Sequence, residues 1–394
     1  MQLTALWPFL LINLACFIAA WAIARGNSFY REEVRILTTG RVQMIDGLRG
    51  WLALGVFFSH TITTYGYYTH GRWDDVDVPF RSFTGGVGVS LFFMITGFLF
   101  WSRVLRSKGN LDARALYLSR LRRIVPMYLA SVLLSMAVVA TLSGFVLRVG
   151  PAEFLRELRP WLSFGFMDVG DINGVKDAHI INAVYWTLAF EWGFYVALPF
   201  LALFARGPLQ FVLMAVAFVF CLREPVTLNF MGGMLAAIIA DRGFLHGRLS
   251  GHWLTPVPLA CLAAVFTLHS PYGIAPAALL LVFFLFVVHG NSLFGLLASN
   301  GARLLGTVSY SIYLIHCITL FVVMRSINAY LPIAGMSLVE YWSWAGCAAL
   351  LAVVLSSITY RFVEHPFIHR SPVPVPARST PLRASPPSPA AVGP

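Results

Sequence analysis

The chain has 394 residues, of which 58% are hydrophobic and 11% charged, and its mean hydropathy is +0.74. Soluble domains carry about 25% charged residues, so lipid rather than water is the main solvent, and no room is left for a sizeable soluble domain. The net charge of +11 does not point to nucleic acid, because most basic residues sit in short segments between apolar runs and in the C-terminal tail, where membrane topology accounts for them.

Apolar segments near spanning length, roughly 20 residues, fall near residues 3–24, 47–68, 84–103, 124–147, 184–205, 208–222, 226–241, 254–270, 273–290, 304–325 and 342–361. All are expected to be helices, since an open sheet cannot satisfy its backbone in hydrocarbon. The expected fold is therefore an all-α polytopic transmembrane bundle of about ten core helices plus one extra N-terminal helix. Residues 1–46 would form that extra helix and a basic linker, residues 47–366 the transmembrane domain, and residues 367–394 a disordered tail rich in Pro, Ser and Ala. Ala22-Ile23-Ala24 resembles a signal-peptide cleavage site, but no Lys or Arg precedes the first apolar run, so that run is read as an uncleaved helix. Cys16, Cys221, Cys261, Cys317 and Cys347 stand singly in apolar runs and are read as inert core residues.

Charge predicts the orientation. Segment 103–123 holds Arg103, Arg106, Lys108, Arg114, Arg120, Arg122 and Arg123 against Asp112 alone, which assigns it to the cytoplasm. Counting spans outward puts segment 25–46 on the same side, segments 70–82 and 149–183 outside, the N-terminus outside and the C-terminus inside.

Ionisable groups inside spans are costly and so mark candidate functional positions. Asp46-Gly47-Leu48-Arg49 opens the second span, and His60 lies roughly 16 Å deeper than Arg49 at 1.5 Å per residue. Arg49 reads either as a snorkelling anchor or as a functional group, and His60 either as a bundle histidine bonded to a neighbour or as a general base for a hydroxyl, whose proton affinity near neutrality it would supply. Glu191, roughly 10 Å in from the outer face, is expected at a depth compatible with contact to His60, where its carboxylate could orient the imidazole, or else as a structural carboxylate bonded to Trp or Tyr side chains. Arg120 and Arg123 share one helical face at the basic end, which suits either anchoring or paired contacts to phosphate. Ser309, Tyr313 and His316 form a polar stripe on the tenth span, either structural or substrate-facing. The other histidines form no HExxH-like pair, so a metal site has no support.

Taken in order, several stretches resemble the membrane acyltransferase family 3 of bacterial carbohydrate O-acyltransferases. They are Asp46-Gly47-Leu48-Arg49-Gly50 leading to His60, Gly86 to Phe98, Arg120 to Tyr128, Trp186-Thr187-Leu188 with Glu191, Gly306 to His316, and Glu364-His365-Pro366. The resemblance implies a ten-helix catalytic bundle in the bacterial inner membrane, with acyl-coenzyme A as co-substrate and no metal. It further implies O-acylation, taken to be O-acetylation, of a cell-envelope polysaccharide or lipid-linked glycan. His60, Glu191 and Arg49 become catalytic candidates, and Arg120 and Arg123 donor-binding candidates. Direct transfer and an acyl-histidine intermediate both stay open. Two departures are the helix preceding the family's usual first one, and Thr96 where Ser is common before Gly97-Phe98. The alternative reading is a transporter or flippase of a lipid-linked sugar, hinted at only by the glycine pairs Gly85-Gly86 and Gly232-Gly233 near the starts of two spans.

Overall fold

The structure, a computed structural model, describes residues 6–36, 43–73, 79–205, 207–243, 245 and 247–368. Among these residues every regular element is helical, and the one β-type pairing is an isolated bridge between Ile172 and Val175. The bundle begins with α1 (Leu6–Gly26), the short α2 (Ser28–Ile36), α3 (Gln43–His70), α4 (Pro79–Arg106) and α5 (Ala113–Ser143). It continues through α6 (Pro151–Trp161), α7 (Trp186–Ala202), α8 (Leu209–Cys221), α9 (Leu228–Arg242), α10 (Pro256–Val265) and α11 (Ile274–Val288). It closes with α12 (Asn300–Thr307), α13 (Ser309–Asn328), α14 (Leu338–Thr359), a π-turn (Tyr360–Glu364) and α15 (His365–Ile368).

Trp7–Gly26, Thr84–Arg106, Ala113–Ser143, Ser309–Asn328 and Leu338–Ile368 are long and apolar enough to cross a membrane. Large apolar side chains such as Leu133, Phe200, Val219 and Phe220 stand exposed on helix faces, where water would penalise them and lipid tails do not. The protein is a membrane protein.

Several boundaries differ from the sequence expectation. The basic segment before residue 124 is not a loop: α5 starts at Ala113, where Asp112 caps the helix by accepting from the Ala115 N–H at 3.0 Å, so Arg114 to Arg123 continue the helix below the span. The tenth span divides at Val308 into α12 and α13. Segment 149–183 contains α6 and a 3-10 turn (Ala178–Asn182). Residues 367–368 end α15, and the remainder of the expected disordered tail lies outside the described residues, as does Arg41 of the basic linker.

α4 is the axis of the bundle. It packs against α3, α7, α9 and α11, and 72% of its most apolar window is buried. Small residues make this possible, because helices without a hydrophobic force between them must gain contact by close approach. A Cβ on Gly97 would collide with the Phe230 carbonyl, and one on Gly233 with the Met94 carbonyl, so α4 and α9 meet backbone to backbone. The same occurs between α3 and α12, where Gly50 faces the Ala302 carbonyl and Gly306 the Asp46 carbonyl, and Gly47 meets the Leu297 carbonyl in the turn before α12. The glycine pairs Gly85-Gly86 and Gly232-Gly233 lie within the unbroken helices α4 and α9, which removes the broken-helix hint of a transporter. α1 packs on α12 and α14, burying Cys16, Ala20 and Ala24. Cys347, by contrast, is exposed rather than a core residue.

Gly97→Ala should therefore lower the unfolding midpoint in detergent, at the roughly 1–3 kcal/mol cost of overpacking. Gly193→Ala on α7, where nothing lies within 4 Å of the added methyl, should leave stability equal or raise it by about 0.5–1 kcal/mol. Equal midpoints for the two variants would contradict the backbone contact.

Candidate active site

At the basic end of the bundle, α3, α4, α5, α7 and α13 enclose a cavity of about 320 Å³. Arg49 comes from α3, Arg103 and Arg106 from the last turn of α4, and Arg120 and Arg123 from α5. Glu191, Tyr195, Ser309, Tyr310 and Tyr313 complete its polar lining. Five guanidinium groups thus face one lining carboxylate, an excess that invites an anion.

The arginines are held individually. Arg49 Nη1 lies 3.7 Å from Asp46 Oδ1, one turn back on α3. Arg120 lies over the Phe100 ring at 4.9 Å and the Tyr195 ring at 5.9 Å, in cation–π contact. Arg123 Nη2 is 3.9 Å from Glu364 Oε1. Glu364 is fully buried, and its second oxygen accepts from Ser311 Oγ at 3.0 Å. Glu191 accepts from the Tyr195 hydroxyl at 3.2 Å and sits in the combined field of Arg120, Arg123 and Arg49.

A second cavity, about 490 Å³, lies on the other side of Val89 and Tyr313, which line both. His60, Trp73, Trp186, His269 and Tyr272 line it. Tyr313 shares a hydrogen bond of 2.8 Å with Thr187 Oγ1, so the partition is held across α13 and α7. The His60 ring lies 5.3 Å from that of His316 and 6.2 Å from Trp73, centroid to centroid. His316 Nδ1 is 2.9 Å from the Ile312 carbonyl. A carbonyl only accepts, so Nδ1 carries a proton, and in the neutral ring Nε2 keeps its lone pair. Cys317 Sγ lies 3.4 Å from that Nε2 and can donate to it.

The structure separates two residues that the sequence reading paired. Among the described residues no hydrogen bond or ion pair joins Glu191 to His60, and Glu191 instead belongs to the arginine cavity. The reason is the path of the chain before α7. The 3-10 turn at Ala178–Asn182 is largely buried within the bundle, and Asn182 Nδ2 donates at 2.8 Å to Leu314 O in the N-terminal half of α13. Such irregular backbone is tolerated at membrane depth only when buried in protein. α7 therefore starts deep, and Glu191 lies deeper than a helix entered from the surface would place it.

Other candidates come together as a stripe would. Ser309 and Tyr313 reach the arginine cavity, Tyr313 also reaches the second, and His316 meets His60 beyond it. Sequence reasoning counted Arg103 and Arg106 only as topology markers, and it placed no chemistry on Tyr195, Tyr310, Trp73 or Glu364. A carboxylate at the end of the last apolar run was the available signal for Glu364. His60, His316 and Cys317 bring ligand-type atoms within 4.8 Å of one another. That spread is wider than the roughly 3.5 Å edge that 2.0–2.3 Å bonds around one tetrahedral ion set.

The acyltransferase-domain profile of family 3 matches residues 42–361. The chain belongs to this acyltransferase family. It is similar to the exopolysaccharide production protein ExoZ of Rhizobium meliloti (strain 1021), with 27% identity over 315 residues, covering 73% of this chain and 90% of the relative. No solved structure matches. The acyltransferase domain thus takes in both cavities and all the candidate residues except Glu364, which follows the matched region.

Glu364→Ala would leave Arg123 without its buried counter-charge. Removing one partner of a fully buried pair costs about 3–5 kcal/mol. Arg123 is 27% exposed to its cavity, so a loss of about 2–3 kcal/mol is expected in thermal unfolding. Arg123→Met added to Glu364→Ala should recover part of it, and a double mutant no better than Glu364→Ala would show that the pair is not coupled.

Proposed function

We propose that this acyltransferase moves an acyl group, acetyl in the simplest case, from acyl-coenzyme A at the arginine cavity to a carbohydrate hydroxyl at the His60 cavity. One observation carries the reading: a strongly cationic cavity and an aromatic, histidine-bearing cavity share a wall made by Tyr313 and Val89. Donor phosphates would be held by Arg120 and Arg123, with Arg49, Arg103 and Arg106 adding positive potential. The basic end faces the cytoplasm, where acyl-coenzyme A is made, and the His60 cavity faces outward. Trp73, Trp186 and Tyr272 offer that cavity the flat apolar faces on which sugar rings stack. The similarity to a protein named for exopolysaccharide production supports a cell-envelope polysaccharide, or its lipid-linked precursor, as acceptor.

In the chemical step His60 removes the acceptor hydroxyl proton as the oxygen attacks the thioester carbonyl. The carbon–sulfur bond breaks, the ester forms, and the imidazolium returns the proton to the departing thiolate. Holding both partners across one side chain supplies the proximity that such a transfer needs. Glu191 acts here on the arginines, limiting their mutual repulsion, and not on the imidazole. His316, locked as the Nδ1–H tautomer, keeps the neighbourhood of His60 neutral.

Inverted membrane vesicles given radiolabelled acetyl-coenzyme A should pass label into glycan, and sealed right-side-out vesicles should not. In the same assay His60→Gln should cut transfer roughly 10²–10⁴-fold while coenzyme A binding and thermal stability hold. Unimpaired transfer by a folded His60→Gln protein would refute the base assignment. Arg123→Lys should raise the apparent Michaelis constant for the donor more than that for the acceptor, because an ammonium cannot reproduce the forked contact. An unchanged donor constant would reduce Arg120 and Arg123 to membrane anchors.

A further inference from the structure

α1 and α2 precede the region that matches the family profile, yet α2 is built against the end of the chain that supplies Glu364. Tyr30 is buried and its hydroxyl donates to the Ser357 carbonyl near the end of α14. Phe29 packs edge-on to His365, with ring centroids 4.8 Å apart, and Arg361 lies 5.1 Å over the Phe29 ring. Between these contacts stands Glu33. One of its oxygens accepts from the Tyr360 hydroxyl at 2.8 Å, and the other is 3.3 Å from His365 Nε2.

Tyr360 and His365 are the two ends of one backbone hydrogen bond. The His365 N–H donates to the Tyr360 carbonyl, the i to i+5 bond that makes this stretch a π-turn. A single carboxylate from α2 therefore spans both residues that close the turn. The turn matters because of what it carries. Glu364 precedes His365, and consecutive helical residues point about 100° apart. With His365 held outward against Glu33, Glu364 is turned inward to Arg123 and Ser311. A π-turn is a rare, single-turn departure from α-winding, and a return to α-winding here would rotate the Glu364 carboxylate away from Arg123.

We infer that Glu33 is a positioning residue for the donor cavity: by bridging Tyr360 and His365 it holds the π-turn that aims Glu364 at Arg123. The inference rests on the reading of the arginine cavity as the coenzyme A site. It gives the helix pair outside the family region a part in the reaction, since the cavity's charge arrangement is completed from beyond the matched domain.

The test measures coenzyme A binding to the full-length protein in detergent, with Michaelis constants for donor and acceptor measured separately and thermal unfolding as the control. Glu33→Ala removes the Tyr360 hydrogen bond and the 3.3 Å contact to His365, and it should weaken coenzyme A binding and raise the donor constant by roughly 3–30-fold. The acceptor constant should not move. Tyr360→Phe, which keeps the buried ring and deletes the hydrogen bond alone, should show the same split at smaller size, and it serves if Glu33→Ala fails to fold. In a Glu364→Gln background Glu33→Ala should add nothing further, because the residue it positions is already altered. Undiminished coenzyme A binding by Glu33→Ala beside a binding wild-type protein would overturn this inference alone. So would losses that add fully to those of Glu364→Gln, or donor and acceptor constants that rise together. A wild-type protein that binds no coenzyme A would overturn the donor reading, and this inference with it.

Discussion

Guanidinium groups drawn into a helical bundle must be answered by carboxylates or by water, and the architecture follows from how this chain answers them. A buried charge without a partner is costly. Here Arg49, Arg120 and Arg123 turn away from lipid into one cavity, and Asp46, Glu191 and Glu364 are brought to them from α3, α7 and the π-turn after α14. Three helices distant in sequence are tied by that requirement. The compensation is partial, and the excess positive charge makes the cavity a place for an anion.

The remaining packing serves this arrangement. Close backbone contact between α4 and α9, and between α3 and α12, leaves no room for a side chain at the crossing glycines, so the helices whose polar faces line the cavity, α3, α5, α7 and α13, are held close together. The motif glycines Gly47, Gly50, Gly97 and Gly306 are explained by these contacts rather than by chemistry. Tyr313, pinned to Thr187, then separates a cationic chamber from one bearing His60 and aromatic rings. A thin wall between unlike chambers suits a reaction whose two substrates differ in charge and approach from opposite faces.

Glu364 illustrates how a residue escapes sequence reasoning. It belongs to a stretch that resembled the family, yet a carboxylate near the end of the last helix reads equally well as a surface group. Only the π-turn, which inserts an extra residue into the helical winding, brings it inward, and nothing local in Tyr360 to Glu364 announces such a turn. Arg103 and Arg106 escaped for the opposite reason: their role in topology was sufficient explanation, and a second role leaves no separate trace. Glu191 lines the arginine cavity rather than meeting His60, the expected depth having been counted from a helix start placed at the surface.

What the sequence determined by itself was the solvent and the helical class, since apolar runs of spanning length in a chain this poor in charge have no other way to satisfy their backbone. It also determined that Arg49 and His60 lie at different depths, because the rise per residue along one helix converts spacing directly into distance. Which groups meet was decided only by the tertiary structure. Contacts between α3, α5, α7, α13 and the end of α14 depend on helix rotation and on where each helix starts, and these are set by glycine crossings, by the buried turn at Ala178–Asn182 and by the π-turn at Tyr360–Glu364. Such features shift a side chain by a hundred degrees or several ångströms while leaving the pattern of apolar residues unchanged, so periodicity carries no record of them.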